Sequence, residues 1–102
     1  MLTDYHLHLR TDDVGKAEDA FTQANVTRYL EAAEAKDIAE LGVSEHLYRF
    51  TEALELWRHP YWESQARDDL DAYCEFVRTT PLKLGIEADY IRGAEDRTAS
   101  LL

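Results

Sequence analysis

The sequence predicts an α/β fold built on a parallel sheet, and three observations predict it. Three short segments alternate apolar and polar residues: "DYHLHL" at 4–9, "IAELGVSEH" at 38–46 and "LKLGIEADY" at 82–90. A period of two is the strand signature. Stretches with helical spacing lie between and after them. The connections are long enough to carry those helices, which implies parallel strands joined by right-handed crossovers. The expected order is β-α-β-α-β-α, three successive βα units.

The first strand, 4–9, places Tyr5, Leu7 and Leu9 on one face and Asp4, His6 and His8 on the other, because strand side chains alternate. In 26–36, Val26, Tyr29, Leu30 and Ala33 recur at helical spacing. Asn25 is the expected cap, and Lys36 suits the last turn. The second strand sets Leu41 and Val43 against Gly42, Ser44 and His46. The segment 47–63, "LYRFTEALELWRHPYWE", is long for a β-to-α connection and rich in aromatics. His59-Pro60 interrupts any helix there, and His59 reads as structural. Such a loop is either functional or packs its aromatics over a strand end. A second helix is expected over 64–78, capped by Ser64, with Ala66, Leu70, Tyr73, Cys74 and Val77 as its apolar stripe. Asp68, Asp69 and Asp71 are then expected to face water. Pro81 marks the entry to the third strand, where Leu84, Ile86 and Ala88 oppose Lys83, Gly85, Glu87 and Asp89. A last helix is expected over 94–102, with Glu95 and Asp96 in the first turn, where the helix dipole favours them.

Each strand therefore has an aliphatic face suited to packing under helices and a small-to-polar face ending in a metal-type ligand. Parallel α/β folds place chemistry at the C-terminal ends of their strands. His6 and His8, two apart on a strand, point the same way at about 6–7 Å along the backbone. His46 and Glu87 stand at the ends of the other two strands on the matching faces. Imidazole suits Zn, Fe or Mn, and a carboxylate completes or bridges such sites. Asp12 and Asp13 follow the first strand, as loop ligands or as solvated helix-capping residues. Asp4 and Asp89 are either carboxylates that orient ligand imidazoles or strand-end surface residues. Arg10, Arg49 and Arg92 lie near strand ends, as phosphate contacts or as surface charges.

Composition narrows the partners. The 102 residues carry 21 acidic against 11 basic side chains, a net charge of −10. That disfavours nucleic acid and anionic membranes, which need a basic face. A phosphorylated small molecule remains compatible if bound cations supply local positive charge. A 45% hydrophobic and 11% aromatic content suits a packed domain. The single cysteine, Cys74, excludes an intrachain disulfide and reads as a buried thiol. With no signal-like start and no apolar run of about 20 residues, a cytoplasmic location is the expectation.

The residues "DYHLHL", "GVSEH" and "LGIEADY", in this order and at strand ends, resemble the polymerase-and-histidinol-phosphatase (PHP) family of metal-dependent phosphoesterases. The likeness is strongest to the histidinol-phosphatase branch. The resemblance implies a distorted barrel of seven βα units and two or three divalent ions. His6 and His8 would hold one metal, Glu87 would bridge two, and His46 would serve the third position. Many members place another histidine after the first strand. Here that loop reads "RTDDVG", so Asp12 or Asp13 would substitute, Asp13 being carried as the candidate ligand. Asp4 would support the ligands, and Arg10 would meet the substrate phosphate. The family draws further ligands from later strands, so residues 1–102 are expected to be the N-terminal part of one PHP domain. The complete enzyme would hydrolyse a phosphomonoester, with histidinol phosphate, an intermediate of histidine biosynthesis, as the expected substrate. The fragment alone is expected to be inactive, and a homo-oligomer is compatible with it. The alternative is a non-catalytic metal-binding or interaction module completed by another chain. An amidohydrolase-type barrel also starts with His-X-His, but His46 and Glu87 disfavour it.

Overall fold

The computed structural model describes residues 2–10 and 20–102. Its elements are β1 (Leu2–Leu7), α1 (Gln23–Ala35), β2 (Ile38–His46), two 3-10 segments (Leu47–Arg49 and Thr51–Glu55), α2 (Pro60–Gln65), α3 (Leu70–Arg78), β3 (Lys83–Glu87) and α4 (Glu95–Leu101). The strands form one parallel sheet in the order β1-β2-β3. The chain is thus mixed α/β, with β2 in the centre. Among the described residues, β1 and β3 are the two edges of that sheet.

α1 begins earlier than the sequence suggests because Thr22, not Asn25, caps it. The Thr22 hydroxyl accepts the Asn25 N–H at 3.2 Å, the usual service of a cap. Asn25 is thereby free to donate its side-chain amide elsewhere. Asp37, in the turn from α1 into β2, has φ +58°, a left-handed conformation that carries a steric cost outside glycine.

The helix expected over 64–78 is divided, and its parts obey different caps. His59-Pro60 starts α2 rather than interrupting a helix. The His59 Nδ1 accepts the Tyr61 N–H at 3.1 Å, and proline's fixed φ suits the first helical position. After Gln65 the chain turns extended and bonds to the preceding loop. The Arg49 carbonyl accepts the N–H groups of Arg67 and Asp68, each at 3.0 Å, and the Asp68 carbonyl accepts that of Thr51 at 2.9 Å. Asp69, not Ser64, caps α3 by accepting the Ala72 N–H at 2.9 Å. Asp68, expected in water, is 4% exposed.

The principal core joins Val26 and Ala33 of α1, Leu41 and Val43 of β2, Tyr73 and Val77 of α3, with Leu9, Phe50, Leu70 and Leu82. Burying each valine or leucine side chain among these contributes about 1.5–3 kcal/mol. Cys74 packs half-buried against this core, and burial raises its thiol pKa. A second cluster of Leu47, Tyr48, Ala53, Leu56 and Trp62 shows that the 47–63 segment packs its own aromatics. No helix among the described residues is long and apolar enough to cross a membrane.

Candidate metal centre

The site begins with an irregularity in β1. Asp4 pairs with Leu41, but the next pairing is Leu7 with Val43. Three steps along β1 therefore match two along β2. Such a bulge places two residues opposite one and re-aims side chains. Here Tyr5 and His6 share the place opposite Gly42. Tyr5, expected beside Leu7 and Leu9, instead lies over Gly42. A methyl group there would come within 2.8 Å of Tyr5 Cδ1 and 3.2 Å of its Cα. Gly42 is thus required by a close approach, and the space above it is filled by Tyr5. Leu7 and Leu9 remain on the core side.

Beyond the bulge, His8 lies one residue past the end of β1. Its position is fixed by the surrounding backbone bonds. The Tyr29 hydroxyl donates to the His8 carbonyl at 3.2 Å, and the Asn25 amide donates to the Leu9 carbonyl at 3.2 Å. The Glu45 carboxylate accepts the N–H of Leu9 and, at 3.3 Å, that of Arg10. Glu45 is 1% exposed. Burial pushes its carboxyl up to about 7, although both backbone N–H bonds oppose that shift.

On the open face, Glu87 is the hub. Its Oε1 lies 3.2 Å from His6 Nε2. Its Oε2 lies 3.6 Å from His8 Nε2 and 2.6 Å from His46 Nδ1. His46 and Glu87 are paired residues of β2 and β3, so the register itself puts their side chains together. His6, His8 and Glu87 each offer a ligand atom within 4.8 Å of the others. The His8 and His46 rings stack at 4.5 Å. His6, His8, His46 and Glu87 are therefore adjacent in space, and His6 and Glu87 also line a cleft of about 440 Å³ with Thr3, Asp4, Tyr5, Ser44 and Ile86.

His6, His8 and Glu87 are placed so that they could hold a cation. Buried His46 Nδ1 and Glu87 Oε2 come to 2.6 Å, yet neither completes a hydrogen bond among the described residues, and His8 Nδ1 is equally unsatisfied. Unsatisfied buried polar atoms are costly. A cation held between such donors would relieve that cost, and imidazoles with a carboxylate are a donor set for Zn, Fe or Mn. Burial, followed by the neighbouring His46, lowers the pKa of His8, with Glu87 opposing. A lowered pKa keeps the imidazole neutral, the form that ligates.

The remaining candidates are placed differently. Asp12 and Asp13 lie outside the described residues. Asp4 accepts the backbone N–H of His6 at 2.9 Å, so it braces the bulge rather than an imidazole ring. Arg10 does not face the cleft; it is 8% exposed and pairs with Asp68 through Nη1 at 3.2 Å. Arg49 is buried, bonds to Gln65 and lies against the Tyr48 ring. β3 ends at Glu87, so Asp89 sits beyond the strand and is exposed, as is Arg92. A second acidic group, Glu52, Asp69 and Asp71, is taken up by the start of α3, where Glu52 accepts the Leu70 N–H and Asp69 that of Ala72.

Glu45, Asn25 and Tyr29 were not expected near the site. Glu45 carries a readable signal: a carboxylate in phase with Leu41 and Val43 must either lie in water or find buried donors. The anchoring bonds of Asn25 and Tyr29 have no local sequence signature.

No family model matches the chain, and neither a curated protein nor a solved structure matches it.

Proposed function

We propose that the chain carries the N-terminal ligands of a metal-dependent phosphomonoester hydrolase of the PHP type, with histidinol phosphate as the expected substrate. The observation that carries this reading is the convergence of His6, His8 and His46 on the two oxygens of Glu87. Oε1 faces His6 while Oε2 faces His8 and His46, an arrangement suited to a carboxylate shared between two divalent ions. Bound ions of this kind would offset phosphate charge and lower the pKa of water. The chain's own part is to hold the donors. The bulge aims His6, backbone bonds to Tyr29, Asn25 and Glu45 hold the turn at His8, and the β2–β3 register sets His46 against Glu87. Three strands do not close a barrel, so on this reading the sheet is part of a larger one and the 102 residues alone bind metal without turning over substrate.

The test is calorimetric titration of the folded chain with Zn²⁺, Mn²⁺ and Co²⁺, followed by phosphate-release assays on phosphomonoesters with the metal-loaded protein and any longer form of it. Binding by the wild-type chain that is lost in Glu87→Gln, and phosphate release by the longer form, are expected. A folded chain that takes up none of the three ions would sink the reading. The second reading, a non-catalytic metal-binding module completed by another chain, is favoured by β1 and β3 being sheet edges among the described residues. It predicts an oligomer in light scattering and no hydrolysis in any assembly.

A further inference from the structure

A continuous stack of rings runs from the donor cluster into the aromatic loop. The His46 ring is held between two faces. His8 lies on one side at 4.5 Å and 24°, and Tyr48 stacks on it at 4.7 Å and 16°. Tyr48 is itself confined: it is 9% exposed, meets Tyr61 edge-on at 5.3 Å and Trp62 at 6.3 Å, and has the Arg49 guanidinium 5.4 Å from its ring centre. His46 ends β2, and Tyr48 lies in the following 3-10 segment. The backbone therefore changes direction between them, and the two rings come face to face although they are only two residues apart. An imidazole has two soft torsions. The β2 backbone fixes the base of the side chain, and the stack limits how its ring can turn about them.

We infer that Tyr48 is the positioning residue that aims His46 Nδ1 at Glu87, so that the aromatic loop sets metal affinity without touching the ion. The inference rests on the metal-centre reading above and adds to it a role for the 47–63 segment. Outer groups that fix the orientation of a ligand imidazole typically alter metal affinity about 10–100-fold when removed. A stacked ring, which supplies no hydrogen bond to the imidazole, belongs at the lower end of that range.

The experiment is a double-mutant cycle read by Co²⁺ calorimetry and by the visible absorption of the bound ion. Tyr48→Leu keeps apolar bulk but loses the flat face, and is expected to weaken Co²⁺ binding about tenfold. Tyr48→Phe keeps the stacked face and is expected to lie closer to wild-type affinity than Tyr48→Leu. In a His46→Ala background, Tyr48→Leu is expected to change nothing further, because its effect passes through His46. Wild-type affinity in a folded Tyr48→Leu chain, or an equal loss in both backgrounds, overturns the inference. If the wild-type chain binds none of Zn²⁺, Mn²⁺ and Co²⁺, the metal-centre reading falls and the inference falls with it; if it binds only Zn²⁺ or Mn²⁺, the same cycle is read by calorimetry with that ion. A measurement on the wild-type chain guards against misfolding of the variant. NMR should place the His46 ring protons upfield of their unfolded-state positions, and their absence there also overturns the inference.

Discussion

Arg10→Leu should destabilise the chain severely, while Arg10→Leu combined with Asp68→Leu should not. Both side chains are nearly fully buried, with 8% and 2% of their surfaces exposed, and they meet through one bond at 3.2 Å. Arg10 Nε and Asp68 Oδ2 complete no hydrogen bond among the described residues. The pair is therefore one-pronged and offsets less of its desolvation than a two-pronged pair would. Burial raises the Asp68 carboxyl pKa in spite of Arg10 and Arg49. Removing one partner of a buried pair costs about 3–5 kcal/mol, chiefly through the charge left behind. Arg49 remains near Asp68 in the single variant, which places the expected loss near ~3 kcal/mol on that scale. For a domain of this size that corresponds to a fall in Tm of roughly 12–24 °C. With both charges replaced by leucine, buried charge gives way to apolar packing, a change that is often neutral or stabilising. The assay is urea unfolding followed by far-UV circular dichroism on the wild type, both single variants and the double. A single variant within about 1 kcal/mol of wild type would refute the reasoning. So would a double variant as unstable as the two singles summed, because the charges would then not be acting on each other.

Three other perturbations probe the same framework. Gly42→Ala should cost about 1–3 kcal/mol through the clash with Tyr5, and adding Tyr5→Ala should recover only part of it, since Tyr5 Cα also lies 3.2 Å from the added methyl; full recovery in thermal melts would show that the backbone does not resist. The Glu45 carboxyl, raised by burial from 4.5 to about 7, binds its proton more tightly in the folded state. Its contribution to stability is full below pH 4.5 and is lost as pH rises through about 7, amounting to roughly 3 kcal/mol at 1.36 kcal/mol per unit. Urea midpoints in chelator-treated buffer at about pH 5 and about pH 7.5 should differ accordingly, and Glu45→Gln should flatten the difference; an unchanged slope in that variant would assign the dependence to other groups. Asp37→Gly should stabilise the chain by about 0.5–1 kcal/mol, because relief of the left-handed backbone at φ +58° outweighs glycine's extra entropy when unfolded; a lower Tm would refute this.

The sequence pattern foretells the sheet well, because alternation and long crossovers leave few alternatives for three short strands. It also pairs His46 with Glu87 on matching faces, which the β2–β3 register reproduces. Where the pattern fails, long-range bonds override local preference. The expected 64–78 helix is broken because Arg67 and Asp68 bond to Arg49, some 18 residues earlier. Tyr5 changes face because a bulge has no mark in an alternating string. Arg10 reads as an exposed phosphate contact because its partner, Asp68, sits in a segment that itself reads as solvated helix. Asp4 supports the site through the backbone rather than a ring, a distinction that residue type cannot carry.

The bulge also makes the site depend on chain length. Between Asp4 and Leu7, β1 holds one residue more than its neighbour needs, and Tyr5 and His6 divide that surplus. Removing Tyr5 would leave the ladder regular from Asp4 to Leu7 with His6 opposite Gly42, whereas removing His6 would leave Tyr5 in its place and delete a donor. Substitutions cannot separate these two residues' roles as cleanly as excising each in turn, which makes residue count, rather than side-chain identity, the variable that locates this histidine.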